Sequence, residues 1–234
     1  MSPRADDSST HESALGSDAV SGGARWRPNA ARVAAVLVGL AAASLIAVLA
    51  TRDSDDGSIR AASPLIGELV PHLRGELIWP PAAAEGDRPL PGVQIGADGV
   101  ARFDIDATPR RWVLVNFFAS WCVPCVREHP ALAEWIERHQ HDGALVAVPF
   151  GDRTADALTF YERLGGDWPV VDDPDARWAV AFGVLRPPES FLVTPDGIVA
   201  ARWQGQITAD DPDAVIAVLV AQWNADADPT GSTR

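Results

Sequence analysis

Seven consecutive residues, Trp112-Val113-Leu114-Val115-Asn116-Phe117-Phe118, constrain the fold more than any other part of this 234-residue chain. The run has no charge, is rich in β-branched and aromatic side chains, and stays apolar on both alternating faces, so it predicts a strand buried on both sides. A strand of that kind needs helices above and below it, and the flanking pattern supplies them. Helical spacing over 123–140 places Val126, Leu132, Ala133 and Ile136 on one side. A second buried strand follows at 145–150, then a helix over 154–164 with Asp152 or Thr154 as its cap. A short helix at 174–181, a strand at 190–194, a Pro195-Asp196-Gly197 turn, a partner strand at 198–204 and an amphipathic helix at 211–224 complete the alternation. Upstream, residues 92–106 read as a hairpin turning at Asp98-Gly99, where glycine tolerates positive φ. Strands alternating with helices and closed by a hairpin and helix imply an α/β fold, a three-layer α/β/α sandwich with a mixed central sheet.

Outside this block, residues 33–50 (VAAVLVGLAAASLIAVLA) form eighteen positions without a charge. At about 1.5 Å per residue they span roughly 27 Å, enough for a bilayer core. Arg25, Arg27 and Arg32 precede the run and Asp53, Asp55 and Asp56 follow it. The positive-inside rule therefore puts residues 1–32 in the cytoplasm as a disordered tail and the bulk of the chain outside, a single-pass protein of the cell membrane. Cleavage after Ala50 as a signal segment is the competing reading, since Val48 and Ala50 are small; the long polar leader favours an anchor. Residues 51–91, broken by Pro64, Pro71, Pro80, Pro81, Pro89 and Pro91, read as a Pro-rich stalk that partly docks on the domain at 92–224, and residues 225–234 as a flexible tail. The formal charge of -13 with no lysine anywhere disfavours nucleic acid as a partner, because phosphate binding needs a basic face.

The chemistry concentrates where the buried strand meets the next helix, at Trp121-Cys122-Val123-Pro124-Cys125. These two are the only cysteines in the chain. A thiolate at a helix N-terminus faces unpaired N–H groups and the positive end of the dipole, which lower its pKa from about 8.5. Two intervening residues in a helical turn bring the second sulfur within bonding reach. Cys122, at the exposed first turn, is expected to attack, and Cys125, one turn inward, to resolve. Half of a zinc site is the alternative for such a pair, yet no second pair exists and His129, His139 and His141 complete no recognisable ligand set, so no metal or cofactor is expected. A purely structural disulfide closing so short a loop would constrain little unfolded-state entropy.

The stretch Asn116 to Cys125, followed by Glu128 and Pro130, resembles the active-site signature of thioredoxin-fold, membrane-anchored thiol-disulfide oxidoreductases of the TlpA, ResA and DsbE (CcmG) type. A second match, Gly183-Val184-Leu185-Arg186-Pro187-Pro188-Glu189-Ser190-Phe191-Leu192-Val193, lies about sixty residues on, and the resemblance covers about 92–224. It implies a redox-active Cys122–Cys125 disulfide, a cis-proline at Pro188 beside it, and a functional carboxylate at Glu128, for which an ordinary exposed helix glutamate is the equally weighted alternative. Asn116 stands where cytoplasmic thioredoxins carry a buried acid, Trp121 is expected to cover the sulfur and contact partners, Pro130 to be structural, and Glu189 to be an acid near the site. Two departures stand out. Arg186 replaces a usual glycine, and Pro187 removes an N–H from the position that pairs with a substrate strand in this fold. If Arg186 faced the disulfide it would favour the Cys122 thiolate and attract an acidic partner segment, a substrate-binding role shared with Trp121 and Pro187; pointing to solvent it would do neither.

The resemblance implies reduction of protein disulfides. The substrate it implies is apocytochrome c during cytochrome c maturation, and the source of electrons a membrane thiol reductase of the CcdA or DsbD type. A disulfide oxidase for secreted proteins and a non-redox thioredoxin-like binding or chaperone module are the alternatives.

Overall fold

The computed structural model describes Ala35 and residues 37–40, 59–79, 90–108 and 110–227. The tail at 1–32, most of the apolar run at 33–50, residues 51–58 and 80–89 of the stalk, and the tail beyond 227 lie outside the described residues. Ala35 and 37–40 are helical. Among the described residues no helix is long and apolar enough to cross a membrane.

Among the described residues nine strands, β1 (Ile59–Arg60), β2 (Arg74–Trp79), β3 (Val93–Ile95), β4 (Ala101–Asp104), β5 (Trp112–Phe118), β6 (Gly143–Pro149), β7 (Val170–Val171), β8 (Glu189–Val193) and β9 (Val199–Gln204), form one sheet in the order β1-β9-β8-β5-β6-β7-β2-β4-β3. Helices described alongside it are α1 (Val123–Arg138), α2 (Thr154–Leu164), α3 (Arg177–Phe182) and α4 (Asp210–Ala227). The pairs β5–β6 and β6–β7 are parallel and the others antiparallel, so the sheet is mixed. The fold is the α/β sandwich expected, and β5 is an interior strand whose seven residues are all buried.

Period-two alternation along β5 divides the core. Trp112, Leu114 and Phe118 face a layer containing Leu132 and Trp135 of α1, Phe160 and Tyr161 of α2, and Val215 of α4. Val113, Val115 and Phe117 face Trp178, Ala179 and Phe182 of α3, joined by Val70, Leu73, Phe103 and Ile105 from the N-terminal side. Asn116 shares the parity of Leu114 and Phe118, so this buried amide points into the layer that holds α1.

The sheet extends into the stretch whose prolines suggest a stalk: β1 pairs with β9, and β2 with both β4 and β7. The hairpin at Asp98-Gly99 forms as β3 and β4, with Gly99 at φ 74. The helix over 154–164 forms, but neither expected residue caps it. Arg153 is its N-cap without a side-chain bond, because Asp152 is engaged elsewhere. At the other end of the domain α4 runs three residues past the expected 224, to Ala227.

Candidate active site

Because β5 and β6 are parallel, the loops that leave them emerge at one end of the sheet. β8 runs antiparallel to β5 with Glu189 opposite Phe117, so residues 185–188 arrive at that same end. Three segments therefore converge there: 119–122 after β5, 150–153 after β6, and 185–188 before β8.

The first two are sewn together. The Phe150 N–H donates to the Phe118 carbonyl at 2.7 Å. The Asp152 carboxylate accepts from the Ser120 N–H at 2.5 Å and from its hydroxyl at 3.0 Å. The role of Asp152 is thus to hold the turn that delivers Cys122, a duty with no signal in local sequence because its partner lies 32 residues away.

Cys122 is the N-cap of α1, with Val123 and Pro124 in the first turn, where the missing proline N–H costs no helical bond. The two cysteines are joined as a disulfide with Cα atoms 5.3 Å apart, and the Cys125 N–H donates to the Cys122 sulfur at 3.2 Å. Cys122 is not exposed as its first-turn position suggests: it is 4% accessible, as buried as Cys125 at 3%. What distinguishes the two sulfurs is that Cys122 caps the helix. Exposure belongs instead to its neighbours, Trp121 at 61% and Val123 at 64%, so Trp121 stands beside the site with its ring largely in solvent.

Glu128 lies one helical turn beyond Cys125 on the same face of α1. It is no surface glutamate. Its side chain is completely buried, one oxygen accepting from Asn116 Nδ2 at 3.1 Å and the other from the Ile207 N–H at 3.0 Å. Asn116 Nδ2 also donates to Ser190 Oγ at 3.0 Å, so a polar chain links β8, β5, α1 and the start of the loop before α4. Burial raises the Glu128 pKa from 4.5 to about 7; the bonds from Ile207 and Asn116 oppose the rise and the charge of Asp211 adds to it. Next along α1, His129 is buried against the rings of Phe160, Tyr161 and Trp168, and burial lowers its pKa. The Tyr161 hydroxyl, which accepts from the Trp168 indole at 3.1 Å, is pushed well above the usual range, chiefly by burial. These rings make the site's interior side largely apolar.

The third segment carries the prolines. The Pro187–Pro188 peptide bond is cis, and Pro188 is buried while Arg186 is exposed. Glu189, whose place near the site sequence left unspecified, is fully buried and forms an ion pair with Arg202, whose Nε and Nη2 donate at 3.0 and 2.7 Å. Its other oxygen accepts from the N–H groups of Leu185 and Arg186 at 3.1 and 3.4 Å. Arg202 donates onward to the Gly183 and Ala62 carbonyls. Sequence reading passes over Arg202; the single charged residue in the strand Val199–Gln204 is the signal that marks it.

Residues 84–218 match the family model of the redoxins. The thiol:disulfide interchange protein CycY of Rhizobium leguminosarum bv. viciae is 41% identical over 98 residues, 41% of this chain and 50% of that protein, so this chain spans half the length of that curated relative. The thiol:disulfide interchange protein DsbE homolog of Paracoccus denitrificans (strain Pd 1222) is 32% identical over 191 residues, covering 80% of this chain and 90% of that protein. In fold, the chain is similar to a crystal structure of a candidate thiol:disulfide interchange protein DsbE from Chlorobium tepidum, with a TM-score of 0.51, 24% identity and coverage of 67% of this chain and 96% of that one.

Proposed function

The chain belongs to the redoxin family, as a thioredoxin-like thiol-disulfide oxidoreductase of the TlpA/ResA/DsbE type, and from that premise we propose that it works outside the cytoplasm, held by the apolar segment at 33–50, and reduces the disulfide of apocytochrome c before haem attachment. The observation that carries this reading is the Cys122–Cys125 pair capping α1 with a buried carboxyl, Glu128, one turn behind it.

In the dithiol form the Cys122 thiolate attacks one sulfur of the partner's disulfide. That bond breaks, a mixed disulfide forms, and the partner's first thiolate leaves. Cys125 gives its proton to Glu128, attacks the Cys122 sulfur and releases the partner's second thiolate. Two electrons pass to the partner, whose two thiolates take up protons from solvent while Glu128 returns the Cys125 proton to solvent, and the chain is left as the disulfide described here. A carboxyl titrating near 7 can take and return a proton at neutral pH, the role a general base and acid requires. Val123 and Pro124 place neither cation nor histidine between the cysteines, which supports a reductant over a strong oxidant. A membrane thiol reductase of the CcdA or DsbD type then restores the dithiol.

A Cys125→Ala variant leaves the mixed disulfide unresolved, so the trapped partner can be isolated and identified. Apocytochrome c or its assembly factors are the expected catch. A broad set of secreted proteins would replace this reading with a disulfide oxidase.

A further inference from the structure

A partner disulfide can reach the Cys122 sulfur, 4% accessible, only by lying across the surface around it. Trp121, Val123 and Leu185 are exposed at this end of the sheet, and along the segment before β8 Arg186 is exposed, Pro187 half-buried and Pro188 buried. An extended segment laid along exposed backbone ordinarily exchanges N–H and C=O bonds with it. Here the donors are missing. The N–H groups of Leu185 and Arg186 both end on Glu189, whose carboxylate is pinned by Arg202, and Pro187 and Pro188 have none. Four consecutive residues therefore offer a partner no backbone donor. Acceptors remain: the Pro188 carbonyl is taken by the Gly205 N–H at 2.9 Å, but among the described residues nothing donates to the carbonyls of Leu185, Arg186 and Pro187. The Arg186 guanidinium, exposed and with no partner among the described residues, is the one donor on the segment.

We propose that residues 185–188 form an acceptor-only docking edge on which Arg186 replaces the missing backbone N–H. The proposal rests on the reductase reading above and names how that site selects its substrate. The occupant is an extended polypeptide segment flanking the partner's disulfide. It donates a backbone N–H to the free carbonyls of the edge, settles apolar side chains on Trp121, Val123 and Leu185, and presents an oxygen acceptor, a carboxylate or a backbone carbonyl, to the Arg186 fork. A carboxylate makes the stronger bond, because both partners are charged.

The test uses the reduced full-length chain and two disulfides: an oxidised peptide containing Cys-x-x-Cys-His, in forms with Asp or Asn beside the first cysteine, and hydroxyethyl disulfide, which has neither backbone nor charge. The readout is the ratio of the two reduction rates, which cancels changes in thiol chemistry. Arg186→Ala is expected to lower the ratio about tenfold, and Arg186→Gln, which keeps a donor, by less. Pro187→Ala, which restores an N–H, is expected to raise the ratio about threefold and to shrink the loss caused by Arg186→Ala in the double variant. A larger loss with the Asp peptide than with the Asn peptide assigns the acceptor to a carboxylate; equal losses assign it to the backbone. An unchanged ratio in Arg186→Ala, or strict additivity in the double variant, overturns the proposal. A wild-type chain that reduces neither disulfide overturns the reductase reading itself, a different result.

Discussion

The buried carboxyl of Glu128 makes the stability of this protein fall as the solution becomes more basic. In the unfolded chain the group titrates near 4.5, and in the folded oxidised protein near 7. Between those values the native state holds a proton that the unfolded state has released, so stability is full below about 4.5 and is lost as pH rises through 7. The shift of roughly 2.5 pH units corresponds to about 3 kcal/mol. No discount for solvent applies, because the side chain is wholly buried. The sign survives the opposing bonds from Asn116 on β5 and the Ile207 N–H, since two donors do not replace a full hydration shell. Asp211 on α4 pushes the same way as burial, and Tyr161 on α2, itself neutral, brings no cation to offset it. The substitution Glu128→Gln keeps the shape and removes the titration; Asn116 can turn its carbonyl to the new amide while the Ser190 hydroxyl reorients. Denaturant unfolding of the oxidised proteins at pH 4.5 and pH 8 is the measurement. The stability difference between variant and wild type should move in favour of Glu128→Gln by about 3 kcal/mol across that interval. A difference that stays constant within about 0.5 kcal/mol, a change of under about half a pH unit in linkage, would refute the argument that burial controls this group.

Two further outcomes follow from the hydrogen bonds around the site. Arg202→Leu strands the Glu189 carboxylate without its partner and should cost about 3–5 kcal/mol in denaturant unfolding, while a Glu189→Leu/Arg202→Leu double variant recovers much of that; equal losses in both would show that the pair is not what matters. Asp152→Ala removes both acceptors of Ser120 and should cost about 1–2 kcal/mol. In the reduced protein it should also speed alkylation of Cys122 by iodoacetamide, with Asp152→Asn in between; unchanged alkylation would mean that the turn before Cys122 holds its place without the clamp.

The elements most legible in sequence are those whose burial is periodic. Trp112–Phe118 stands as β5 with the expected bounds, and 154–164 stands as α2, because an unbroken apolar run and a 3.6-residue stripe are local signals. The strands that escaped notice are short or mixed in character: Ile59–Arg60 and Val170–Val171 have two residues each, too few for any period, and Arg74–Trp79 sits among prolines. They become strands because a neighbouring edge offers unpaired N–H and C=O groups, and that edge comes from far along the chain.

By itself the sequence determined the interior strand, the helix that follows, the two cysteines at their junction and the Pro187-Pro188 pair, since each depends on side chains a few residues apart. Tertiary structure alone decided the electrostatics. The Glu128 surroundings are assembled from Asn116, Ser190, Ile207 and Asp211, spread over about a hundred residues, and the same gathering turned Asp152 from a helix cap into a clamp and Glu189 into the partner of Arg202. Whether a carboxyl is solvated, paired or forced toward its neutral form is set by what surrounds it in three dimensions. One-dimensional spacing reports only what is adjacent, which is why the cysteines could be read from the chain, whereas Glu128, marked there only by the family resemblance, showed its burial and raised pKa in the tertiary structure alone.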